Sequence, residues 1–157
     1  YKVLISITDE LQSRKQILRT AGVANIDEYN HKAEEKLYRI VFACDEIAEV
    51  LDKTGLSKQQ KDEILKIESE LSIIARQGRA FGIHLVLATQ RPDAAILNGQ
   101  IRNNIDTRIC GRADNVLSQI ILDNTDASDK IAKSSQGRFL TNSGKIFQAY
   151  WFDENIL

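Results

Sequence analysis

Five consecutive apolar residues, Ile40 to Cys44, run straight into two adjacent carboxylates, Asp45 and Glu46, after which the apolar spacing turns helical. A short β-branched run of this length reads as a fully buried strand. A second run, IHLVLAT at 83–89, has the same character and ends on Thr89 and Gln90. Between them, Ser57 stands as an N-cap, and Ile64, Leu65, Ile67, Leu71, Ile74 and Ala75 lie at helical spacing. That stripe predicts a helix running to about Arg79, with Gly82 as its stop. Strands alternating with helices in this way predict an α/β fold with a parallel sheet and crossovers on both faces.

The flanks are read on the same rules. KVLISI at 2–7 predicts a short strand, and Thr8-Asp9-Glu10-Leu11 the start of a helix that reaches Thr20 and stops at Gly22. Residues 27–36 predict a polar helix, 46–51 a short one, and 94–103 another, placed after the break at Pro92. TRICG at 107–111 predicts a third strand and 114–122 a helix. RFLT at 138–141 and IFQAYWF at 146–152, joined across Asn142-Ser143-Gly144, predict a terminal β-hairpin. No repeat or low-complexity segment interrupts the pattern.

A length of 157 residues suits one domain, here 1–157, and 43% hydrophobic with 27% charged residues is the make-up of a globular one. No apolar run approaches the roughly 18 residues that a bilayer span requires. Cys44 and Cys110 sit in apolar runs without ligand spacing, which predicts free buried thiols in a reducing compartment. The chain begins at Tyr1 and contains no methionine, so it is expected to be a piece of a longer polypeptide. A net charge of −1 excludes a global basic field that would draw in nucleic acid. The arginines are nevertheless uneven: residues 76–112 hold six (76, 79, 91, 102, 108 and 112) against two acids, Asp93 and Asp106, and no lysine. Arginine suits bidentate phosphate contacts; solvated surface arginines in ion pairs account for the same count.

In an open α/β sheet, ligands bind beyond the carboxyl ends of the strands. Asp45-Glu46 and Thr89-Gln90 both stand at such ends. Two neighbouring carboxylates repel unless a cation sits between them or their roles divide. The Walker B strand of a P-loop ATPase is such an arrangement: an acid orients water on Mg2+, the next acid polarises the attacking water, and a polar residue on the adjacent strand senses the γ-phosphate. Acids that merely cap the following helix make the same pattern, and the pair alone does not choose.

ARQGRAFGIHLVLATQRPD at 75–93 resembles the signature run of FtsK/SpoIIIE-type DNA translocases. In matching order, RTAGVANIDEYNHK at 19–32 resembles the family's GVxNIxxYN stretch, VFACDEIAEVL its Walker B strand, and NGQIRNNIDTRICGRADN at 98–115 its GxIKxNIPxRI segment. SQIILDNTDA at 118–127 and QGRFLT at 136–141 resemble later segments of the family. The resemblance implies a RecA-like, three-layer P-loop core using ATP and Mg2+. Asp45 would hold Mg2+ through water, Glu46 would be the catalytic base, and Gln90 the sensor, with Thr89 beside it at the nucleotide. Arg108 is the candidate trans-acting arginine finger and Arg112 the runner-up; an intrachain ion pair explains Arg108 equally well. Asn98, Arg102 and Asn103 are candidates for a DNA-facing pore or subunit interface, or for plain helix surface. Arg79 and Arg91 are explained by helix-end and ion-pair contacts, and His84 by a hydrogen-bonded core position.

The departures matter. No GxxxxGK[ST] phosphate loop occurs in the chain. In the family that loop lies upstream, so the resemblance implies that this piece alone hydrolyses little or no ATP. Gln119 and Asp106 replace family residues, and DTRICGRADN with the FQAYWFDE ending look closer to the coupling proteins of Gram-positive conjugative elements. The implied whole is a hexameric, DNA-pumping ATPase in a membrane-anchored bacterial protein, with this part cytoplasmic and a relaxase as a partner. Two alternatives stand beside it: a type VII secretion-type ATPase acting on proteins, and a non-catalytic assembly domain.

Overall fold

A computed structural model describes residues 1–90 and 99–150. These pack as two compact units, one of residues 1–90 and 99–105, the other of residues 106–150.

The first unit contains α1 (Lys2–Thr20), α2 (Ile26–Lys32), β1 (Ile40–Cys44), α3 (Ile47–Leu51), α4 (Lys58–Gln77), a 3-10 turn (Gly78–Phe81), β2 (Ile83–Leu87) and α5 (Gly99–Asn103). The strand expected at 2–7 is instead the first part of α1. Four apolar residues in six, Val3, Leu4, Ile5 and Ile7, do not by themselves distinguish strand from helix. What decides is the continuation: Leu4, Ile7, Leu11, Arg14 and Leu18 are all buried, a single stripe at spacings of three and four. Thr8 is therefore no cap. It lies inside the helix, and its hydroxyl donates back to the carbonyls of Leu4 (3.1 Å) and Ile5 (2.9 Å).

The segment after α1 is built by side-chain caps. Gly22 takes φ +63° and ends the helix. The Asn25 side chain accepts from the Glu28 amide at 2.9 Å and starts α2. Asn30 clamps Leu37 from both sides, donating to its carbonyl (2.9 Å) and accepting from its amide (2.8 Å), which aims the chain into β1. The family-like residues of 19–32 thus act as punctuation for the strand that follows.

β1 and β2 pair in parallel, Ile40 opposite Ile83 through Cys44 opposite Leu87. Ile40, Phe42, Leu85 and Leu87 pack on a core that includes Leu11, Ile47, Leu71, Ile83 and Ile101. The expectation of a fully buried strand is corrected: β1 alternates, with Val41 61% exposed, and Val86 on β2 is 54% exposed. Only one face of this two-stranded ribbon is covered by helices among the described residues, so burial has the period of two that any pleated strand imposes.

α4 opens with a capping box at Ser57 and Gln60. Arg14, 4% exposed, donates to Glu10 at 2.7 Å and to the Phe81 carbonyl at 2.9 Å, tying α1 to the turn before β2. Two glycines make that turn possible. A Cβ on Gly78 would stand 2.5 Å from the Ile83 carbonyl oxygen. Gly82 has φ +73°, and its Cβ would stand 2.3 Å from Ile26 Cδ1.

The second unit contains β3 (Ile109–Cys110), α6 (Asn115–Leu122), α7 (Asp126–Lys130), β4 (Arg138–Thr141) and β5 (Ile146–Gln148). The expected strand at 107–111 shrinks to two residues and pairs antiparallel with β4, in a β3-β4-β5 sheet separate from the parallel ribbon. The reason lies in Asn142. Its side chain accepts from the Arg108 amide (3.2 Å) and donates to the Asp106 carbonyl (3.0 Å), while its own amide donates to the Arg108 carbonyl (3.0 Å). The hairpin forms, but β5 ends at Gln148, short of the expected 152, and residues 151–152 lie outside the described ones; it turns at Gly144 with φ +83° and stacks Phe139 on Phe147 at 5.7 Å. Ser118, fully buried, accepts from Ala127 and donates to the Asn124 carbonyl, fixing the turn between α6 and α7.

Candidate active site

The tips of the parallel strands are stitched beyond their last paired residues. The Ala88 amide donates to the Cys44 carbonyl at 2.8 Å, and the Ile47 amide to the Ala88 carbonyl at 2.9 Å. These bonds bring 45–46 and 89–90 together.

Glu46 is the centre of what results. It is the N-cap of α3, its Oε1 accepting from the Ala48 amide at 3.1 Å. The same oxygen accepts from the Thr89 hydroxyl at 2.5 Å, and Oε2 accepts from the Gln90 amide at 2.8 Å. One side chain therefore caps the helix and also meets the neighbouring strand's polar tip. Asp45 next to it is exposed and has no partner among the described residues. No cluster of three or more His, Cys, Asp or Glu side chains fit to hold a metal occurs among the described residues. A divalent ion here would rest on one or two carboxylates and keep water ligands, the habit of Mg2+. The Asp45-Glu46 tip fits that demand.

The other expected residues lie elsewhere. Arg102, half-buried on α5, has a buried Nε without a hydrogen-bond partner among the described residues. Asn103 is exposed on the same helix and lines a groove of about 690 Å³ with Glu68, Ser72 and Gln100. In the second unit, Arg108 forms an intrachain pair with Asp123 at 2.6 Å. Arg112 donates to the carbonyls of Ile131 (2.9 Å) and Ser128. The hydrogen-bonded core histidine expected at His84 is not found at Nε2, which is buried and has no partner among the described residues. Asn98 and Arg91 fall outside the described residues. Cys44 and Cys110 are free thiols, and burial pushes that of Cys110 up. Sequence reasoning missed the Thr89–Glu46 bond and the Asn142 clamp. The first had a signal, a hydroxyl and a carboxylate at equivalent tips; the second, a long-range loop bond, had none.

No family model matches the chain. It is 34% identical over 145 residues to the DNA translocase FtsK of Chlorobaculum tepidum, covering 91% of this chain and 16% of that protein. The pCW3 conjugation coupling protein TcpA, solved as a monomer with ATPγS, superposes with a TM-score of 0.90 at 42% identity, over 99% of this chain and 45% of that one. The chain belongs to the FtsK/SpoIIIE family. It spans only a small fraction of its curated FtsK relative and under half of TcpA. EssC (ATPases 2 and 3) of Geobacillus thermodenitrificans has the same fold, with a TM-score of 0.68 at 23% identity over 92% of this chain and 25% of that one. The fold class expected from sequence, a portion of a P-loop ATPase core carrying a β-hairpin, stands. No helix among the described residues is long and apolar enough to cross a membrane.

Proposed function

We propose that this chain is the Walker B and sensor portion of an ATP-driven DNA motor of the conjugative coupling-protein type. The observation that carries the reading is the convergence of Thr89 and Gln90 on Glu46, beside the exposed Asp45. In this reading Asp45 would hold Mg2+ through water, and the chemistry that ion would supply when bound is neutralisation of charge at the phosphoryl group. Glu46 accepts the proton of the attacking water, and the Gln90 side chain reports the state of the γ-phosphate from the adjacent tip. Positioning and charge neutralisation are what phosphoryl transfer asks of a protein.

Likeness to TcpA at 42% identity, against 34% for FtsK of C. tepidum, supports the coupling-protein branch over chromosome segregation. The arginine-rich stretch 76–112 supports DNA as cargo, engaged through sequence-independent, salt-sensitive phosphate contacts. Within a homo-hexameric ring, Arg108 of one subunit serves the neighbour's nucleotide once it leaves Asp123; Arg112 is the reserve. Arg102, with its unpartnered Nε, faces DNA or the subunit interface. A relaxase delivers the DNA, and the assembled protein is anchored at the membrane with this part in the cytoplasm.

The test is Glu46→Gln in the full-length polypeptide. ATP binding persists and DNA-stimulated hydrolysis falls by about a hundredfold or more. Unchanged turnover removes Glu46 from its role. Stimulation by a secreted protein substrate in place of DNA transfers the reading to the type VII class.

A further inference from the structure

Glu46 has more attachments than a helix cap requires. The Ala48 amide alone would cap α3. The Thr89 hydroxyl adds a bond of 2.5 Å to the same oxygen, and the Gln90 amide holds the other oxygen at 2.8 Å. The Thr89 and Gln90 donors both belong to the tip of β2, 43 and 44 residues away in sequence. A glutamate on an exposed strand end has three free torsions, and a general base must lie within hydrogen-bond reach of the proton it takes. Bonds from a second strand remove that freedom.

We propose that Thr89 is a positioning residue for Glu46, whose hydroxyl sets the carboxylate for the attacking water and does not contact the nucleotide. The inference rests on the reading of Glu46 as the base. A threonine hydroxyl has a single proton to donate, and here Glu46 receives it. What is left on that oxygen is lone pairs, which a phosphate oxygen, itself an acceptor, does not bind. Threonine also suits the task through its β-branch, which stiffens χ1 and fixes the hydroxyl's direction. The expectation that Thr89 touches the nucleotide gives way to one in which it acts through its neighbour.

Thr89→Val keeps the shape and removes the proton. In the full-length polypeptide with Mg-ATP and DNA, kcat falls about tenfold or more, while KM for ATP stays at the wild-type value. Thr89→Ser restores most of kcat, which a purely structural role for the methyl group would not allow. On a Glu46→Gln background, which cannot turn over, Thr89→Val leaves the affinity for ATPγS unchanged and so also shows that the site is folded. Wild-type kcat for Thr89→Val overturns the inference. So does a loss of ATPγS affinity in step with kcat, which returns Thr89 to the nucleotide, or failure of serine to rescue. If Glu46→Gln itself leaves hydrolysis intact, the catalytic-base reading falls and this one with it. If Glu46→Gln abolishes turnover and Thr89→Val does not disturb it, only the positioning role fails.

Discussion

The turn that delivers β2 to the site contains two glycines under different constraints, and a third elsewhere in the unit serves as a control. Gly55 has φ +71° with nothing within 4 Å of an added Cβ, so Gly55→Ala carries backbone strain alone. That strain is about 1 kcal/mol, the lower end of the left-handed penalty. Gly78 has an ordinary helical φ of −62°, so Gly78→Ala carries the clash alone, its Cβ 2.5 Å from the Ile83 carbonyl oxygen. Backbone cannot swing aside as a side-chain end can, and overpacking of this kind costs about 1–3 kcal/mol. Gly82→Ala carries both, φ +73° and a Cβ 2.3 Å from the Cδ1 of Ile26, a side-chain end that burial at 2% exposure keeps from swinging aside, and should cost about 2–4 kcal/mol. Urea denaturation followed by far-UV circular dichroism gives the three midpoints. The expected order is Gly55→Ala mildest and Gly82→Ala most severe, with thermal midpoints falling by about 2–4 °C per kcal/mol for a chain of this size. If Gly82→Ala costs no more than Gly55→Ala, the turn is held by something other than the close approach of Ile26, and the account of this motif is wrong.

Two further outcomes are expected. Asn142→Ala removes the side-chain bonds to Asp106 and Arg108 but keeps the backbone bond to Arg108; it should cost about 1–2 kcal/mol and speed hydrogen exchange at the Arg108 amide, and an unchanged exchange rate counts against the clamp. Because burial raises the Cys110 thiol while Cys44 is only half-buried, less thiolate is present at Cys110 at any given pH. Ellman's reagent at neutral pH should therefore modify Cys44 first and reach Cys110 only on unfolding; equal rates would contradict its burial.

What could be read in advance was whatever depends on local chemistry. Ser57 was visible as a cap, Gly82 and Gly22 as stops, and the two apolar runs as strands with polar tips. Those tips do meet, through Glu46. Pairing partners were not readable in the same way. Nothing local in TRICG says that it will join RFLT antiparallel; Asn142, more than thirty residues on, makes that choice. KVLISI fits either period, because its four apolar residues are too few to separate strand from helix, and the buried Leu11 and Leu18 further along resolve it. The alternating exposure of β1 was also hidden, since composition reports which residues are apolar and not which face a helix covers.

The triple hydrogen bond to Glu46 also changes what a carboxamide at that position means. A glutamine presents one oxygen and one NH2 group where the carboxylate presents two acceptors. Turned one way, the NH2 confronts the Ala48 amide; turned the other, it confronts the Gln90 amide. Either orientation sets donor against donor, so the swap inverts a polarity as well as neutralising a charge. Of Ala48, Thr89 and Gln90, Thr89 alone can adapt, because a hydroxyl can rotate to accept.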